Sequence, residues 1–61
     1  MWRIHFTDYQ RPLVREHASE EEAFNAACSL RRTYLDVSIE GPDGQRYDEV
    51  AITNWCQKHG M

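Results

Sequence analysis

The 61-residue chain is short of most features that announce a function. No apolar run approaches the roughly 18 residues needed to cross a bilayer, and the opening MWRIHFTDY alternates where a signal sequence would run charged and then apolar. The expectation is a cytosolic, cytoplasmic chain with no membrane partner. Two cysteines, Cys28 and Cys56, are too few for a secreted disulfide scaffold. Neither has a second ligand at metal-binding spacing, so both read as small buried hydrophobes, with no cofactor and no metal expected. Cys56 and His59, three apart on a possible helix, make only half a site. The turn between Gly41 and Gly44 has two glycines but no lysine and no phosphate-loop pattern. No repeat or low-complexity segment is present. Basic residues number seven against ten acidic, interspersed apart from Glu20–Glu22, which argues against a dedicated nucleic-acid binder because phosphate contacts need a concentrated cationic face.

What is present is pattern. A length of 61 residues fits one domain with thin stability margins, and the 41% hydrophobic content is ordinary for a folded chain. The clearest segment is SEEEAFNAACSLRR, residues 19–32. Ser19 followed three residues later by Glu22 is a capping box. Glu20, Glu21 and Glu22 fall where the helix dipole favours carboxylates, and Arg31 and Arg32 where it favours cations. Ala23, Phe24, Ala27, Cys28 and Leu30 form one apolar stripe, and its two alanines allow close approach to a sheet.

Alternating segments flank this helix. Trp2, Ile4 and Phe6 alternate with Arg3, His5 and Thr7 as a half-buried strand. Asp8, Tyr9, Gln10, Arg11 and Pro12 read as a loop. Leu13–Ala18 then reads as a second strand, with Val14 and Ala18 on one side and Leu13, Arg15 and His17 on the other. Tyr34–Glu40 alternates again, Leu35, Val37 and Ile39 facing one way. Gly41–Pro42–Asp43–Gly44 suits a type I turn with Gly44 as a left-handed bulge. That bulge sets Glu40 opposite Arg46 and Ile39 opposite Tyr47, whereas a plain two-residue loop would bring Arg46 and Asp48 to the buried face. The last strand then stops near Tyr47 and Asp48 caps a helix over 49–59, with Ile52, Trp55, Cys56 and His59 on one face and Gly60 as its stop. A competing reading continues the strand to Thr53.

The expected fold is therefore α+β in the order β-β-α-β-β-α: a small antiparallel sheet of two hairpins, covered on one face by a helix. Its other face is expected to be open, with Arg3, His5, Thr7, Arg15, His17, Asp36, Ser38 and Glu40 on it. No catalytic residues are expected, since so short a chain has little room for a pocket, an oxyanion site and an orienting group beside a core. Two binding surfaces remain. The carboxylates of Glu20, Glu21, Glu22, Asp48 and Glu49 would meet a basic surface on a larger protein or ribonucleoprotein. Alternatively Arg3, His5, Arg15, His17 and Arg46 would form a patch for RNA or DNA. Homodimerisation and strand addition at the sheet edges are further routes to partners.

The layout of SEEEAFNAAC followed by YLDVSIEGPDGQRYDE resembles that of small bacterial and phage domains in which one hairpin precedes a helix and a second hairpin follows it. Some small phage proteins that block CRISPR effectors are similar in size, acidity and element composition. The resemblance covers most of the chain and implies a non-enzymatic protein that acts by occupying a partner's surface, with a phage-type inhibitor as one form of it. It carries over no functional residue.

Overall fold

A computed structural model describes residues 1–59. Its elements are β1 (Trp2–Asp8), β2 (Arg11–His17), α1 (Glu20–Leu30), β3 (Leu35–Glu40), β4 (Arg46–Tyr47) and α2 (Glu49–Lys58), the α+β order expected. The sheet is antiparallel in the order β2-β1-β3-β4, so β1 lies inside and β2 forms one edge. Both helices lie on one face of it. Beneath them Ile4, Phe6, Val37 and Ile39 meet Ala23, Phe24 and Ala27 of α1 and Ile52 of α2, all buried. The expected stop at Gly60 lies outside the described residues.

The caps explain where the helices start. Ser19, in extended backbone, accepts a hydrogen bond on its hydroxyl from the Glu22 amide at 3.2 Å. Asp48 does the same for the Ala51 amide at 3.0 Å, which ends the strand and begins α2. The continued-strand reading of 49–53 is thereby excluded. The far end of α1 departs from expectation. The helix closes at Leu30, whose carbonyl accepts from the amides of both Thr33 and Tyr34, so Arg31 and Arg32 follow the last turn instead of forming it. Arg31 reaches across to donate to the Thr53 hydroxyl on α2 at 3.2 Å.

The second hairpin follows the bulged register in full: Glu40 opposes Arg46, Ile39 opposes Tyr47, and Gly44 sits at φ +82°. The first hairpin does not follow its expectation. The turn consists of Tyr9 and Gln10 alone, at φ +48° and +72°, and Asp8 pairs directly with Arg11. Two successive left-handed residues make a type I′ turn, whose twist suits a tight hairpin. Because the loop is shorter than expected, the pairing places Val14 opposite His5, Leu13 opposite Phe6, Arg15 opposite Ile4 and His17 opposite Trp2. Directly opposed residues share a face. Val14 therefore lies on the open face, 52% exposed, while Leu13, Arg15 and His17 belong to the helix-covered side, the reverse of the expected assignment.

A bulge produces the other inversion. Between the His5–Ser38 and Thr7–Leu35 pairs, β3 carries one residue more than β1, and Asp36 there adopts φ +54°. Val37 and Ile39 stay in the core, but Leu35 is turned out and 72% exposed.

The cysteines are also corrected. Cys28 and Cys56 are buried as expected, yet they are not separate hydrophobes: they form a disulfide between α1 and α2, with 6.0 Å between their Cα atoms. Beside it an aromatic row crosses the top of the core. Trp2 stacks on Tyr47, Tyr47 meets Phe24 edge-on at 5.2 Å, Phe24 stacks on Trp55 at 5.3 Å, and Trp55 stacks on His59 at 4.1 Å.

Candidate functional site

The open face of the sheet gathers three of the five expected cations. Arg3 and His5 lie on β1 and Arg46 on β4, whereas the hairpin register sends Arg15 and His17 to the other side. Each of the three has an acidic neighbour. The Arg3 Nε is 3.5 Å from a Glu16 carboxylate oxygen, the His5 Nε2 is 3.1 Å from Glu40 Oε1, and Arg46 pairs with Glu40 in the ladder. The hydrogen bond from His5 holds the Glu40 carboxyl below the usual carboxylate range. Partial desolvation opposes that shift, and the charges of His5, Arg46 and Arg3 reinforce it. This face is thus a mixed-charge ladder with an apolar end at Pro12, Val14 and Leu35. Cations already facing carboxylates have little left for phosphates.

The five expected carboxylates fall into two places. Glu20 and Glu21, at the start of α1, border a shallow groove of about 380 Å³ with Trp55 and His59. Glu20 also edges the neighbouring hollow, where Lys58 is among the lining residues. Glu22 is engaged at the cap through its backbone amide.

Asp48 and Glu49 lie elsewhere, at the start of α2. With Asp36, Val37, Ser38 and Val50 they line a shallow, open cleft of about 320 Å³. No cation is among its lining residues, and none of its carboxylates forms a salt bridge among the described residues. Val50 stands 67% exposed at its rim. Asp36 is the residue that alternation alone misses. As an ordinary strand residue it would point to the open face, but the bulge and its left-handed backbone deliver it to the cleft. The one clue in the sequence is its type, since Asp tolerates that conformation better than most residues.

Histidine and cysteine do not converge into a reactive centre. Both sulfurs are spent on the disulfide, and His59 lies flat against Trp55. Among the described residues no three His, Cys, Asp or Glu side chains stand close enough to hold a metal ion. No helix among them is long and apolar enough to cross a membrane. The sequence matches no known family, and neither a curated protein nor a solved structure is significantly similar to it.

Proposed function

We propose that the protein is a binding protein without chemistry of its own, and that it docks a basic surface of a larger protein or ribonucleoprotein at the cleft where α2 begins. The observation that carries this reading is the company kept by Asp48 and Glu49: a third carboxylate, Asp36, an exposed apolar side chain, Val50, and no cation lining the cleft. An apolar side chain beside carboxylates that form no salt bridge gives a partner both desolvation energy and orientation. Glu20, Glu21 and Glu22 play a smaller part, since a cation, Lys58, lines the same hollow as Glu20. The nucleic-acid alternative loses ground because Arg15 and His17 leave the patch and Arg3, His5 and Arg46 face carboxylates.

An inhibitor of the phage anti-CRISPR kind is the specific form suggested by the chain's size, its acidity and its strand-strand-helix layout. Such a protein would present its acidic cleft to a groove built for nucleic acid. The disulfide bears on where it acts: a reducing cytosol would hold Cys28 and Cys56 as thiols, and an oxidising compartment would keep them bridged. Thiol alkylation of the protein taken from its native cell distinguishes the two.

The docking proposal is tested by titrating ¹⁵N-labelled protein with an arginine-rich peptide and, separately, with single-stranded RNA. The expected result is peptide-induced shifts at Asp36, Asp48, Glu49 and Val50 that fade with salt and weaken in the Glu49→Lys variant, which keeps the Asp48 cap of α2, with no response to RNA. RNA-induced shifts at Arg3 and His5, or peptide shifts spread evenly over all carboxylates, would overturn it.

A further inference from the structure

Among the described residues β2 is the one long element with none of its residues buried, and it ends the sheet. On the opposite side β4 has two residues, pairs only with Ile39 and Glu40 and turns straight into α2, so what remains free there is the short bulged stretch of β3 from Leu35 to Ser38. We propose that β2 is a homodimer interface, in which two copies pair antiparallel about a twofold axis at Val14 to join their sheets.

The axis position follows from elimination. In a hairpin with a two-residue type I′ turn the closing pair is hydrogen-bonded, so Arg11, Leu13, Arg15 and His17 bond inward to β1. Pro12, Val14 and Glu16 present their backbone groups outward. A symmetric ladder built on those groups must centre on a residue of the strand. Centring on Pro12 opposes two prolines and removes the central hydrogen bonds, since neither has an N–H. Centring on Leu13 sets Arg11 against the second copy's Arg15, twice over. Centring on Arg15 or on Glu16 sets that charge against itself.

Centring on Val14 avoids every one of these conflicts. Each Val14 amide donates to the other copy's Val14 carbonyl, and each Glu16 amide donates to the other's Pro12 carbonyl. The missing Pro12 N–H falls at the margin of the ladder, opposite Glu16. On the open face the two half-exposed Val14 side chains meet, and on the other face Leu13, 38% exposed, lies along the aliphatic stem of the second copy's Arg15. Arg11 meets His17 at the ends, which repels only when the imidazole is protonated. Pro12 thus both blunts the edge against indiscriminate pairing and selects one register.

Sedimentation equilibrium of the whole chain from micromolar to millimolar concentration, combined with amide hydrogen exchange by NMR, tests the proposal. The expected result is a reversible dimer of the 7.2 kDa chain, with the Val14 and Glu16 amides protected at high concentration and exposed at low. Val14→Pro removes both central bonds without touching the β1–β2 ladder and weakens association by roughly tenfold or more. Val14→Asp does the same by charge and serves if the proline variant misfolds. A chain that stays monomeric at millimolar concentration, or a dimer in which the Val14 and Glu16 amides exchange as freely as in the monomer, overturns it.

Discussion

The two hairpins of the sheet turn by different means. In the β3–β4 hairpin the left-handed position is occupied by Gly44, the strand that follows is two residues long, and α2 then folds back over the core. In the β1–β2 hairpin two left-handed positions are occupied by Tyr9 and Gln10, and the returning strand is seven residues long with nothing buried. Glycine adopts that backbone without a steric penalty, whereas residues with a Cβ are disfavoured there. Tyr9 is 95% exposed, so no core contact of its own holds it in place. The first turn is held instead by the ladder on either side of it, and the second holds itself. One half of the molecule is braced by turn, cap and disulfide together; the other is fastened through β1 and left available at its edge.

Opening the brace is expected to have the largest effect. The Cys28–Cys56 bridge spans 28 residues, for which loop entropy predicts a loss of about 3–4 kcal/mol on reduction. Urea unfolding with and without reductant measures it, and a difference near zero would mean that α1 and α2 hold together without the bridge. Next come two valines that differ in location. Val37→Ala in the core is expected to cost about 2 kcal/mol. Val14→Ala on the open face is expected to cost less than about 0.5 kcal/mol in the monomer. Equal losses would abolish the distinction between the faces.

Smaller effects come from the turns, and with opposite signs. Gly44→Ala places a Cβ at φ +82° and is expected to destabilise by about 1 kcal/mol. Tyr9→Asn with Gln10→Gly supplies the pair that type I′ turns favour and is expected to raise stability by about 1 kcal/mol. Thermal unfolding reads both. Least of all is the Glu40 contribution. Its folded-state pKa is lowered by His5, so the ionised carboxylate stabilises the fold above the ordinary carboxylate range, and that stabilisation is lost as pH falls through the folded value. Glu40→Gln is expected to flatten this part of the acid limb slightly, as seen by melting temperature against pH.

The same contrast explains what could be read from the residues alone. The β3–β4 register was legible because Gly44 declares its own conformation and because only one register keeps Arg46 and Asp48 out of the core. Both caps were legible from Ser19 and Asp48, whose oxygens have an obvious use before a helix. The β1–β2 register was hidden, since Tyr9 and Gln10 carry no sign of positive φ and Pro12 in an edge strand looks like a loop residue. A loop of the wrong length inverts every side chain beyond it, which is why Val14 and Arg15 exchanged faces and the cationic patch divided. Asp36 was hidden because a bulge leaves no trace in a pattern of alternation. The disulfide was hidden because its cysteines lie 28 residues apart on different helices, and only packing brings them together.

The register of the first hairpin underlies the neutralised open face and the Val14-centred edge alike, and a NOESY spectrum reads it directly. Residues opposed without mutual hydrogen bonds bring their α-protons close. Strong Hα–Hα cross-peaks linking Arg3 with Glu16, His5 with Val14 and Thr7 with Pro12 are the expected result. Cross-peaks joining His5 to Leu13 or to Arg15 would contradict it.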